Sequence, residues 1–330
     1  MRKCKKGGKR FFNLLLLVGG IGIILLLHYA YPKELVKVKT LTTDWKDLNS
    51  FIMISGDDYI LAYDRDAVSR LAILDISNPA EPVEVVFNEP ERPMGRVLEV
   101  NETYAYLDGY THNGTDALRI VDISNIANPV LLDAYEIESP VTAIAVQLPY
   151  AYLTTTEGKL YVFDVSNPKH VKKVALYKAA HRYIRDVAVS GGYAYILVGA
   201  TVEIIDISNP ATPVKVNKIA ISLPNAIAIQ GNNAFITNGY GLQIFDVSNA
   251  LSPKIVSSHD TPYHAETIAL EENFAYIGDG EGFEVVDISN VHRPRRIAYN
   301  ELPQVEAVIP VNGYVYVLDL FEGLIIYKMP

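Results

Sequence analysis

Seven polar residues recur at one place in a repeating chain: Ser50, Arg96, Thr142, Arg185, Asn225, Glu266 and Glu306. They offer guanidinium groups, carboxylates, an amide and hydroxyls, a set that either orients a polar ligand or pairs within itself and with channel water. The same repeats carry rings close by: Tyr110 and His112, then His181 with Arg182 and Tyr183, Tyr240, and His259 with Tyr263 and His264. Aromatic rims beside carboxylates suit sugar stacking or peptide capture, although tyrosine also covers protein surfaces that hold no ligand. The ligand-binding residues nominated are Arg96, Arg185, Asn225, Glu266, Glu306, His181, Tyr183, Tyr263 and His264. No catalytic residue is nominated, because the chain has no nucleophile elbow and its single cysteine, Cys4, precedes the hydrophobic segment. His259 and His264 share a loop but His181 aligns elsewhere, so no metal site is expected. The acidic turns at Asp64 and Asp66, Asp108, Asp279 and Asp319 lack EF-hand spacing. Structural calcium there is the one ion left open, and no cofactor is expected.

What positions these residues is a repeat. Six segments read almost alike: LAILDISNP from Leu71, LRIVDISN from Leu118, LYVFDVSNP from Leu160, VEIIDISNP from Val202, LQIFDVSN from Leu242 and FEVVDISN from Phe283. Their aspartates, Asp75, Asp122, Asp164, Asp206, Asp246 and Asp287, step by 47, 42, 42, 40 and 41, and a degenerate copy from Leu324 puts Lys328 another 41 on. Each period holds short runs rich in β-branched and aromatic residues between Gly, Asn and Pro turn signals; in the third copy these are 142–146, 150–154, 160–165 and 171–177. Four strands in about 42 residues is the period of a propeller blade. The spacing predicts an all-β, seven-bladed β-propeller with four antiparallel strands per blade. The third strand, apolar on both faces at Leu160 to Phe163, belongs between neighbouring blades. The Asp-Ile/Val-Ser-Asn-Pro block after it reads as turn chemistry, since Asp, Ser and Asn side chains bond nearby amides and Pro fixes φ.

These blocks resemble the LVIVD-repeat family of bacterial and archaeal cell-surface proteins, whose strand is seen here as LRIVD and LAILD. The resemblance covers nearly all of the chain beyond residue 30 and implies a surface-exposed propeller. It brings no general activity or catalytic set. The final copy departs from the pattern, with Lys328, Met329 and Pro330 in place of the turn.

That copy also stops after its third strand, which leaves a blade edge to be covered. Residues 32–38, PKELVKV, read against 168–174, PKHVKKV, with equal spacing. Residues 35–39 are therefore expected to be the outer strand of blade seven, closing the ring. Such a strand starts on the face of the turns between third and fourth strands. The opposite, distal face carries the connections between blades and the turns between second and third strands, and is expected to point away from the membrane and to meet partners.

Charge and hydrophobicity divide the chain in the same way. Residues 1–30 carry +6 from Arg2, Lys3, Lys5, Lys6, Lys9 and Arg10 with no acid, so the chain's −9 leaves −15 on the remainder. That balance excludes a nucleic-acid binder, which needs a basic face. Residues 11–27 form an apolar core preceded by basic residues; a cut after Ala30 would put His28 where a small residue is preferred, so the segment reads as an uncleaved helical anchor. The expected domains are a cytoplasmic tail and single-pass cell-membrane anchor over 1–30 and an extracellular propeller over 31–330. The expected function is binding or scaffolding of an extracellular protein, peptide or glycan. The alternatives are an extracellular hydrolase or lyase acting on glycans or peptides at the channel mouth, with Arg96, Arg185, Glu266 and Glu306 near the reaction, and a structural surface-layer component.

Overall fold

The computed structural model describes residues 35–41, 48–53, 58–64, 71–87, 94–101, 103–111 and 113–329, without the side chains of 48–53, 62–64, 71–72, 86–87 and 94–98. Among the described residues all regular structure is β: seven antiparallel sheets of four strands each. Blade three runs Val141–Gln147, Tyr150–Thr155, Lys159–Asp164 and Lys172–Lys178, within about two residues of the bounds expected from sequence. No helix in the described part is long and apolar enough to cross a membrane; the expected anchor, 11–27, lies outside the described residues.

Circular closure is decided by the packing. The buried hydrophobic side chains form seven clusters, and each spans one boundary between neighbouring blades. One of them joins Ile60, Leu74 and Ile76 of blade one to Tyr316, Leu318, Leu324 and Ile326 of blade seven. A linear stack of seven sheets would have only six such boundaries. The first strand of each blade lies innermost, against the first strands of its neighbours.

Blade seven is built from both ends, in the order Val36–Leu41, Gly323–Lys328, Tyr314–Asp319, Val305–Val311. Val36 opposes Lys328 and Leu41 opposes Leu324, and the ladder skips Val38 between Lys37 and Lys39. Blade three skips Val174 at the same place in its outer strand. The aligned segments thus share a β-bulge as well as a sequence.

The repeated turn is a double side-chain cap. In blade three the Asp164 carboxylate accepts the Ser166 amide at 2.9 Å and the Asn167 side-chain oxygen accepts the Lys169 amide at 3.2 Å. The Asp to Ser bond recurs in all six copies, at 2.9 to 3.0 Å. Bonds from the serine hold each of these carboxyls below the ordinary aspartate range. The six acidic positions are turn caps.

Candidate functional site

Every innermost strand opens on the distal face with a β-bulge. The ladders skip from Val141 to Ala143, Ile184 to Val187, Pro224 to Ile227, Ala265 to Thr267 and Val305 to Ala307. Thr142, Arg185, Asn225, Glu266 and Glu306 fall at the first skipped position, and a bulge re-aims a side chain that a regular ladder would hold. Two members of the expected ring are displaced. In blade one Leu48 opposes Asp64 and Ser50 opposes Tyr63, so Asn49 takes the ring position, not Ser50. In blade two Met94 opposes Gly109 and Val97 opposes Leu107, which gives the position to Gly95 and moves Arg96 one place on, level with Asp186 and Thr267. The Arg96 side chain and all of His112 lie outside the described residues.

Four nominated residues, His181, Tyr183, Arg185 and Asn225, line one distal pocket of about 470 Å³, together with Arg182, Leu197, Gly199, Leu223 and Pro224. Its volume is that of a small-ligand site. Local backbone chemistry builds the walls. Gly158 has φ +71°, and a Cβ there would sit 2.1 Å from the His181 carbonyl oxygen, so only glycine lets loop 181–183 lie across the turn of blade three. The His181 ring then rests over Gly199, where an added Cβ would be 3.3 Å from the imidazole. On the far wall Leu223 holds φ +51°, a left-handed conformation rare for a branched side chain, and stays 60% exposed. Asn225 is fixed by its amide, which donates to the Ala265 carbonyl of blade six at 2.8 Å and leaves its own carbonyl oxygen as an acceptor.

The remaining nominated residues stand outside this pocket. His264 lies next to it, 3.6 Å from where Gly239 would carry a Cβ, with Leu223 on the same glycine. Tyr263 is on the loop into blade six, where Glu281 beside it raises its phenol. Glu306 sits next to Glu266; burial first, and then the charges of Glu266 and Asp319, raise its carboxyl, while Gln304 donates to it at 3.3 Å. Arg182 and Leu223 line the pocket in addition to the residues expected from sequence. Arg182 was signalled by its place between His181 and Tyr183, whereas nothing in the sequence marks Leu223.

The same repeat unit recurs in residues 52–87, 96–136, 141–178, 181–220, 225–261 and 263–295, each matching the family model described as LVIVD repeat. The chain belongs to the LVIVD-repeat family. The matches stop before the closing strands of blade seven, where Lys328 and Met329 replace the Asp-Ile-Ser-Asn turn. No curated protein matches the chain. Among solved structures, a functionally unknown protein from Desulfotomaculum acetoxidans DSM 771 is similar over 88% of this chain and 91% of its own, at 14% identity and a TM-score of 0.66. The computationally designed Ika8 protein is similar over 88% of this chain and 89% of its own, at 12% identity and a TM-score of 0.58. At such identities the likeness establishes the fold alone.

In this LVIVD propeller two of the acidic turns, at Asp279 and Asp319, have structural partners. Asp319 accepts the amides of Phe321, Glu322 and Gln304, and Asp279 accepts that of Glu281 and the Tyr299 hydroxyl. Among the described residues no group of three or more His, Cys, Asp or Glu is placed to hold a metal ion. Two carboxyls on innermost strands escaped sequence reading. Asp186 accepts the Val187 amide at 2.8 Å and the Ile227 amide at 2.9 Å, stapling blades four and five, and burial pushes it up to about 6. Glu99, in blade two, is pushed up to about 7 by burial and then by the charge of Asp186. Alanine holds the places equivalent to Glu99 in blades three to six, Ala145, Ala188, Ala228 and Ala269, which is the signal that was available.

These shifts set the pH dependence of stability. Asp186 and Glu99 bind protons more tightly folded than unfolded, so their contribution to stability is complete below about pH 4 and is lost as pH rises from there through about 6 and 7. The turn aspartates shift downward, and their contribution is present above about pH 4 and lost on acidification. Denaturant midpoints measured across the pH range should peak at about pH 4 to 5. Glu99→Gln should raise stability at about pH 8 by roughly 1–3 kcal/mol and flatten the alkaline limb. An alkaline limb left unchanged by Glu99→Gln would refute this assignment.

Proposed function

We propose that this propeller is a cell-surface binding module that holds an extracellular ligand in the distal pocket between blades four and five. The observation that carries the reading is the convergence of His181, Tyr183, Arg185 and Asn225 on that pocket from two blades. A rigid ring of sheets with its bulges and irregular loops on one face presents a site without reorganising for it, and such preorganisation favours affinity. The lining supplies cations, a phenol and an amide on an apolar floor, a composition suited to orienting a ligand. In this reading residues 1–30 form the cytoplasmic tail and membrane anchor and 31–330 the extracellular propeller. The strand Val36–Leu41 begins at the Lys328 end of its partner, on the face of the turns between third and fourth strands and opposite the pocket.

The test is a screen of the chain on a mixed array of glycans and peptides, with affinities then measured for wild type and for Tyr183→Ala. The variant should bind at least about tenfold more weakly while keeping the wild-type melting temperature, because an exposed aromatic wall contributes on the order of 1.4 kcal/mol or more. A ligand whose affinity ignores both Tyr183→Ala and Arg185→Ala would place binding elsewhere and remove the proposal. Protease protection on intact cells checks the orientation: the Asp-Ile-Ser-Asn turns should be cut more slowly than the loop from Asp108 to Ala117.

A further inference from the structure

Building on the pocket as the ligand site, we infer that its ligand is an acidic saccharide, with the anionic group seated between Arg182 and Arg185. All charged residues lining the pocket are basic, on a chain whose net charge is −9. Among the described residues neither guanidinium forms an ion pair. The two cations, three residues apart in the chain, line the same pocket, where a bound anion can pair with both. The planar fork of arginine also matches a carboxylate or sulfate through paired hydrogen bonds.

The rest of the pocket favours a sugar over an acidic peptide. A peptide brings main-chain amides and carbonyls that need partners along an open strand edge. Here the polar side-chain groups beyond the guanidiniums are the Asn225 carbonyl oxygen, the Tyr183 hydroxyl and the His181 imidazole, which match donors and acceptors on sugar hydroxyls. Tyr183 and Leu223, 49% and 60% exposed, supply apolar surface for the C–H face of a ring. Leu223 is held there by a backbone conformation that costs free energy, and such strain collects at ligand clamps.

The experiment uses the full chain in mild detergent against oligogalacturonate, its methyl ester, a sulfated galactan, its desulfated form and a poly-glutamate peptide. Binding is expected to one of the two acidic saccharides, and which of them binds tells carboxylate from sulfate. Its neutral counterpart, Arg182→Gln and Arg185→Gln should each weaken binding at least tenfold, Arg185→Lys should weaken it less, and affinity should fall with added salt. Absence of binding to both acidic saccharides overturns the inference, as does equal binding of the neutral forms or indifference to both arginine variants. Binding of poly-glutamate alone also overturns the saccharide class. If a neutral sugar or the peptide binds and Tyr183→Ala abolishes it, only the ligand class falls. If nothing that binds responds to Tyr183, Arg182 or Arg185, the pocket falls with it.

Discussion

Removal of residues 1–42 is expected to abolish the monomeric fold, while removal of residues 1–31 leaves it intact. The difference between the two chains is the strand Val36–Leu41, which completes blade seven against Gly323–Lys328. Leu35 is buried in the cluster between blades six and seven, and Val38 and Leu41 pack against the cluster between blades seven and one. Removing these three side chains forfeits on the order of 5 kcal/mol of apolar burial. The whole stability of a domain is about 5–15 kcal/mol, so little margin is left. The loss also bares the edge of GLIIYK, a short, apolar, strand-forming segment with one charge, which is a template for pairing between chains. The longer truncation should elute as aggregate or show no cooperative melt, and a synthetic peptide of residues 32–43 should restore a monomer. A monomeric 43–330 chain melting within a few degrees of the longer one would refute closure by this strand.

How much of this was legible in the sequence depended on what each feature is written in. Blade number, strand order and the closing strand are written in a period of about 42 residues and in turn chemistry, and both survive as local patterns. Even the bulge at Val38 was implicit in the match of PKELVKV to PKHVKKV, because the ladder skips Val38 and Val174 alike. The ring of distal polar residues was legible in five blades. It slipped by one in blades one and two, where Asn49 and Gly95 replace Ser50 and Arg96, because a bulge shifts register without changing the hydrophobic pattern. The pocket was legible only as a list of polar and aromatic loop residues. Its walls depend on Gly158, Gly199 and the left-handed Leu223, whose effect is set by φ and by contacts with other blades. The third strand of blade three is apolar throughout from Leu160 to Phe163. Third strands are buried as expected, yet blades four and six place Glu203 and Glu284 there, 1% and 0% exposed.

Those two carboxylates give the second large effect: Lys215→Met is expected to cost about 3–5 kcal/mol, the range for leaving a buried charge without its partner. Glu203 accepts the Lys215 ammonium at 2.5 Å on one oxygen and the Tyr177 hydroxyl of blade three at 2.8 Å on the other. The carboxylate is inaccessible while the lysine is one-third exposed, so removing the lysine strands the anion, whereas removing the anion frees the lysine to reach water. The effects should therefore be strongly non-additive. The triple variant Glu203→Met, Lys215→Met, Tyr177→Phe should return to within about 1 kcal/mol of wild type, since apolar replacements of buried ion pairs are often neutral or better. Blade six holds an internal replicate: Glu284 meets His259 of blade five at 3.0 Å and Arg296 at 3.5 Å. Arg296→Met should cost less than Lys215→Met, because the guanidinium stands further off and His259 keeps its bond. Chemical denaturation of the single and triple variants measures all of these terms. Additive losses, or a Lys215→Met chain as stable as wild type, would show that water already reaches Glu203 and that the blades are locked by their apolar clusters alone.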